Sequence, residues 1–204
     1  MTHTTPSIVH PEPRTTHTVV NQSVPRVDVN EYATDTVLVE AVARHDGGWG
    51  DAELREIGEL VGSESFKHDA VLANTQLPQL YTVDRYGHRI DEVEYHPAYH
   101  RIIGESIRHG AHTRCWADPQ PGSHVVRAAA FMLFTEAEPS ILCPVSMSYA
   151  VTPALRANAG VMADWGAKIA SDCYDARFVP VAQKTAVTLG MGMTEKQGGS
   201  DVRA

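Results

Sequence analysis

The residues of this chain best suited by type and spacing to hold a ligand lie between Val187 and Asp201, VTLGMGMTEKQGGSD. Val187, Leu189, Met191 and Met193 alternate with Thr188, Gly190, Gly192 and Thr194, the period of an extended strand with one small, polar face. Glycine weakens a strand, so two on one face imply that something approaches the backbone closely. The loop that follows, Thr194 to Asp201, carries Gly198-Gly199, whose permitted positive φ lets successive N–H groups converge on an anion or a polar ring edge. Thr194 and Ser200 add hydroxyls that donate or accept. From the residues alone two readings stand: a platform for a flat, polar-edged ligand, or a hairpin whose GGSD turn serves geometry only.

Other chemistry is weaker. His96 and His100 stand at i, i+4, a spacing that can place two imidazoles on one metal, with His109 and His112 further on. No third carboxylate stands at ligand spacing and no glutamate follows His96. Capping and surface roles are therefore expected for these histidines, and no metal site. Ser146 and Ser148 lie in an apolar run without a G-x-S-x-G elbow, and Cys143 has no evident histidine partner. No carboxylate pair suggests acid–base work. Glu195 reads as a carboxylate that orders the loop, not as a proton-abstracting base.

The elements that must position the stretch are helical. Residues 1–33 are rich in Thr, His, Pro and Val and read as an extended arm, in which Val19, Val20 and Val24 could dock on another subunit. Thr34 and Asp35 can cap a helix running to about His45. Asp51 begins a second that Gly62 stops, and Ser63 caps a third that ends before Pro78. Residues 80–95, centred on Gly87, read as a hairpin-like excursion. Pro97 opens a helix ended by Gly110, and Cys115 to Gly122 reads as a connecting loop. Ser123 caps a helix that looks apolar nearly all round, as at the centre of a bundle. Ser140 to Ala157 is a further apolar helix that Pro153 should kink or divide, followed by a short helix over 161–170. The hydrophobic period changes from 3.6 to 2 near residue 180. The expected fold is mainly α: an arm (1–33), a helical-bundle domain (34–180) and the first strands of a β domain (181–204).

Composition narrows the class. With 204 residues the chain can build one good core or one domain and the start of a second. A formal charge of −8 argues against an intrinsic nucleic-acid surface. Three cysteines without CxxC spacing read as reduced thiols. Without a secretory leader or a bilayer-length apolar run, the expectation is a soluble, cytoplasmic protein.

MTEKQGGSDV resembles the flavin-contacting motif of the acyl-CoA dehydrogenase superfamily, commonly T-E-x-x-x-G-S-D. Lys196 stands where proline is usual and Gly198 where alanine is usual, and both departures are similar to the AidB-type branch, flavoproteins linked to the response to DNA alkylation. THTVVNQSVP from Thr16, SILCPVSMSYAVTPAL from Ser140, Ala182-Gln183-Lys184 and GMGM resemble that branch too, so the likeness runs from about Thr16 to the end.

The resemblance implies the N-terminal helical-bundle domain of the acyl-CoA dehydrogenase fold, ending at the first strands of its central β domain. It implies FAD as cofactor, contacted by Met191, Gly192, Met193, Thr194, Gly199 and Ser200. Cys143, Met147 and Tyr149 would line the nearby pocket or belong to the core. The implied reaction removes an α-proton from an acyl-CoA thioester and passes a hydride to flavin, in a homo-oligomer that is a tetramer in the family. The base would come from a C-terminal helical half, so a fragment inactive by itself is expected. DNA would bind only through that C-terminal region. Two alternatives stand beside this: a DNA-protective flavoprotein, and a helical assembly module without chemistry.

Overall fold

Most helix starts follow from local capping chemistry. In the computed structural model, which describes residues 16, 18–192, 196, 198 and 199, Asp35 caps α2 (Thr36–Arg44) by accepting from Leu38 N at 2.9 Å. Ser63 caps α4 (Glu64–Thr75) through Phe66 N. His96 caps α5 (Pro97–Arg108), its Nδ1 accepting from Ala98 N, and Pro97 occupies the first turn. Asn158 caps α9 (Ala159–Ile169). The remaining helices are α1 (Glu31–Thr34), α3 (Asp51–Gly62), α6 (Arg114–Ala117), α7 (Ser123–Ala137) and α8 (Leu142–Leu155). Two strands, β1 (Gln79–Val83) and β2 (Arg89–Glu94), form an antiparallel hairpin with an irregularity between Tyr81 and Val83.

The core lies where α3, α4, α5 and α7 meet. Leu54, Ile57 and Val61 of α3 face Phe66 of α4, Ile102, Ile103 and Ile107 of α5, and Val126, Ala129, Ala130, Leu133 and Phe134 of α7. These positions recur at i, i+3, i+4 and i+7, the single stripe a helix presents to a core. Short α1 lies against α3 because Gly58 and Gly62, one turn apart, leave its surface bare there. Asp28 N donates to Gly62 O at 2.8 Å and Asn30 Nδ2 to Arg55 O at 2.9 Å, which ties the end of the arm to that stripe. Val19, Val20 and Val24 are exposed.

Four expectations change. Cys115 to Gly122 is not all loop: α6 occupies its start, with Cys115 buried. α7 is not apolar-buried all round, since Ala128 and Met132 face solvent and only one stripe enters the core. α8 runs through Pro153 undivided. A proline leaves the carbonyl four residues back without its donor, and here Trp116 Nε1 donates to that carbonyl, Tyr149 O, at 3.0 Å. The alternating stretch after Lys184 forms no strand ladder among the described residues: no neighbouring strand lies beside it, and its N–H groups go elsewhere.

Acid should loosen this fold in two stages. His112 is 2% exposed, and burial pushes its imidazole down to about 4 from 6.5. Its Nε2 donates to Ser171 O at 3.0 Å while Nδ1 is buried without a partner. The unfolded chain therefore binds the extra proton first, and stability falls as pH drops from about 6.5 towards 4, by on the order of 3 kcal/mol for this group. Below about 4.5 the carboxylates join. Burial raises Glu53, but hydrogen bonds from His109 and Arg114 outweigh it and leave the carboxyl lowered; Glu31, between Arg26 and Lys67, behaves alike. A lowered carboxyl stabilises above its unfolded value and loses that contribution as pH falls. Urea midpoints at pH 7, 5.5 and 4 should fall steadily, and His112→Gln should flatten the first step.

Candidate functional site

The stretch from Val187 is held on one side and open on the other. Val187 N donates to Lys168 O at 3.2 Å, Leu189 N to Ser148 Oγ at 2.9 Å, and Met191 N to Met147 Sδ at 3.4 Å. It thus runs in extended form along the end of α9 and the middle of α8. Val187 and Leu189 are half-buried, whereas Thr188, Gly190 and Gly192 are exposed; the period-two alternation survives without a ladder as far as Gly190, and Met191 is exposed as well. A Cβ added at Gly190, Gly192 or Gly199 would meet nothing within 4 Å. The small-residue face looks into open space.

Ser148 is the residue that sequence reasoning weighed only as a nucleophile. It is fully buried, its hydroxyl donates to Pro144 O at 2.8 Å, and its oxygen accepts from Leu189 N. A small hydroxyl on the buried stripe of an otherwise apolar helix was the available signal, because such a group needs partners. The three residues of α8 suggested for a pocket separate. Met147 meets the stretch, and Cys143 is exposed. Tyr149 points towards α6 and α7, where its hydroxyl pairs with His124 Nδ1 at 3.1 Å and its ring lies 4.1 Å from the Arg127 guanidinium. Of the residues expected to touch a cofactor, Met191 donates its N–H to Met147 Sδ, and Gly192 and Gly199 are exposed. Met193, Thr194 and Ser200, like Glu195, fall outside the described residues.

The chain leading into the stretch is pinned by one carboxylate. Asp175 takes a two-pronged contact from Arg177 (2.8 and 2.7 Å) and accepts from Thr185 N at 2.9 Å. These bonds, the Arg177 contact foremost, hold its carboxyl far below the usual range. Thr113 Oγ1 donates to Ile169 O at 3.0 Å and, with His112, fastens the end of α9. His109 and His112 are thus interior residues rather than surface ones, because each finds an acceptor inside: His109 lies against Glu53. His100 is part-buried, its Nδ1 2.9 Å from the Tyr174 hydroxyl. No three His, Cys, Asp or Glu side chains converge on a metal-sized point among the described residues.

Two solved structures share this fold. The "Bd2924 apo-form" structure superposes with a TM-score of 0.76 at 23% identity, over 90% of this chain and 36% of that one. Caenorhabditis elegans ACDH-11 in complex with C11-CoA gives 0.74 at 20% identity, over 96% and 34%. At such identities the likeness is one of fold alone. Escherichia coli (strain K12) "Putative acyl-CoA dehydrogenase AidB" is 41% identical over 189 residues, which is 92% of this chain and 35% of that protein's length. The sequence model of the adaptive response protein AidB N-terminal domain matches residues 21–176, and the chain belongs to that family. No helix among the described residues is long and apolar enough to cross a membrane.

Proposed function

We propose that this chain contributes the helical part, and one wall of the flavin site, of an FAD-dependent acyl-CoA dehydrogenase-like oxidoreductase acting on CH–CH groups. The supporting observation is the two-sidedness of the stretch 187–192: bonded to α8 and α9 along one edge, bare at Gly190 and Gly192 on the other. A flat ring system can lie against such a backbone without meeting a side chain, so the residues present fit the cofactor. Met191, Gly192, Met193, Thr194, Gly199 and Ser200 would hold it. Bound FAD would accept the hydride released from the substrate Cβ. This chain's part is to orient and shield; α8, through Ser148 and Met147, fixes the height of the wall.

No residue of the chain is assigned as the base, which the proposal places in the part of the fold beyond the 35% of E. coli AidB that the chain spans. An acyl-CoA thioester as substrate, a homotetramer, a cytoplasmic setting and the division into arm, helical domain and β-domain start at residue 181 belong to the same proposal. The AidB family match favours a second reading, a flavoprotein of the DNA-alkylation response whose DNA contacts lie outside this chain. A salt-dependent gel shift by a longer protein, but not by this chain, would support it.

The chain alone should neither retain stoichiometric FAD nor bleach it with acyl-CoA. Joined to the remaining two-thirds of E. coli AidB, it should hold FAD, and Thr194→Val or Ser200→Ala in that chimera should weaken FAD binding about tenfold, the scale of one lost hydrogen bond. A visible spectrum and a flavin titration read both. A well-folded chimera without flavin would remove the reading.

A further inference from the structure

A cleft of about 780 Å³ lies between the hairpin, α5 and the extended chain 173–188. That volume lies within the range of small-molecule sites. Its floor is α5 and its approach, with Tyr95 and Tyr99 stacked at 4.2 Å between centroids and Tyr174 laid over Gly104. One wall is the hairpin face carrying Tyr81, Glu92 and Glu94; Tyr81 and Glu92 stand opposite each other across the strands. The other wall is the extended chain 173–188, including Phe178, Arg177 and Lys184. From Tyr99 to Ile107 the helical floor extends about 12 Å at about 1.5 Å per residue.

The charges decide what such a cleft prefers. Of the two cations of the far wall, Arg177 is paired with the Asp175 carboxylate and also donates to Gln183 O, whereas Lys184 Nζ donates to the neutral carbonyl Asp175 O at 2.8 Å and keeps its charge. His100 is kept neutral by burial, which lowers its imidazole further below physiological pH. Burial pushes the Tyr99 phenol up to about 12, so the floor is uncharged. Glu94 accepts from the Tyr81 hydroxyl, and Glu92 has no ion-pair partner among the described residues. With Arg177 paired to Asp175, Glu92 and Glu94 stand against Lys184 and leave an excess of one negative charge, in a cleft that is also lined by Tyr81, Tyr95, Tyr99 and Tyr174. Rings with negative faces beside free carboxylates attract organic cations rather than anions or neutral acyl chains.

We propose that this cleft binds a small linear alkylammonium compound, one amine against Glu92 and Glu94 and its methylenes along Tyr95, Tyr99 and Tyr174. The proposal does not rest on the flavin reading, although Val187 and Thr188 belong to both the cleft and the stretch 187–192, and it is tested on this chain alone. Calorimetric titration with spermidine in low-salt buffer should give saturable, one-to-one binding. Glu92→Gln with Glu94→Gln should weaken it at least about tenfold. Tyr99→Phe should leave it intact, because the ring and not the phenol makes the contact. The control pair Glu40→Gln with Glu59→Gln removes the same charge from another exposed surface and should not matter. Equal losses in the two double variants would reduce the effect to the chain's overall charge and overturn the proposal, as would no saturable binding. Tighter binding of trilysine than of spermidine would overturn the assignment to a small molecule in favour of a peptide's lysine side chains.

Discussion

Gly62→Ala should destabilise the fold by about 2 kcal/mol and lower the melting temperature by roughly 4–8 °C. Two effects oppose each other there. Alanine favours a helix over glycine by about 1 kcal/mol. The new Cβ, however, would overlap the Val29 carbonyl oxygen and lie 2.9 Å from its carbon. Backbone cannot rotate aside as a side-chain tip can, so the arm must lift. Lifting it strains the bonds Asp28 N–Gly62 O, Asn30 Nδ2–Arg55 O and Glu64 N–Asp28 Oδ1. Overpacking of this kind costs about 3 kcal/mol at the severe end, which exceeds the helical gain. Gly104→Ala is the matched contrast. Its Cβ would meet Tyr174 only at 3.6 and 3.8 Å, ordinary contact, so the helical gain of up to about 1 kcal/mol should remain. Urea unfolding of the three proteins decides it. If Gly62→Ala unfolds like the parent, the arm is not seated on α3 as described.

Phe134→Ala should cost more, about 3–5 kcal/mol, the largest single effect expected in the chain. The ring is fully buried, 6.2 Å from the Phe66 ring and 6.1 Å from the His109 ring between centroids. Removing it empties the junction of α4, α5 and α7, whose surrounding atoms belong to separate helices and cannot all close the gap. Phe134→Leu retains most of the volume and should cost about 1.5 kcal/mol or less. Both are read from urea midpoints, with far-UV circular dichroism to confirm that the helices remain. A domain is stable by about 5–15 kcal/mol, so Phe134→Ala should leave a folded but visibly weakened protein. A loss below about 1 kcal/mol would show that the core is not packed around this ring.

Much of the helical framework was legible because its signals are local. Asp35, Ser63 and Pro97 each mark a helix start by what a side chain or a missing N–H does within one turn. The hairpin could be anticipated around Gly87, whose φ of 85° is the conformation that residue type favours. Short α1 and α6 were not legible, since four residues give no period to read and both are held by distant partners. The undivided course of α8 was equally hidden: whether Pro153 breaks the helix depended on Trp116, 37 positions earlier, supplying a donor to Tyr149 O.

The candidate site divides along the same line. By itself the sequence determined that residues 187–192 alternate in type between large apolar and small, and that the chain resembles the AidB branch. Those properties reside in residue types and spacing, which no fold can alter. Only the tertiary structure decided that Ser148 and Met147 hold the stretch, that Tyr149 turns away to Arg127 and His124, and that Tyr81, Glu92, Tyr99 and Tyr174 share one cleft. Those contacts join segments tens of residues apart, and their geometry is set by how helices pack, which capping rules and periodicity do not contain.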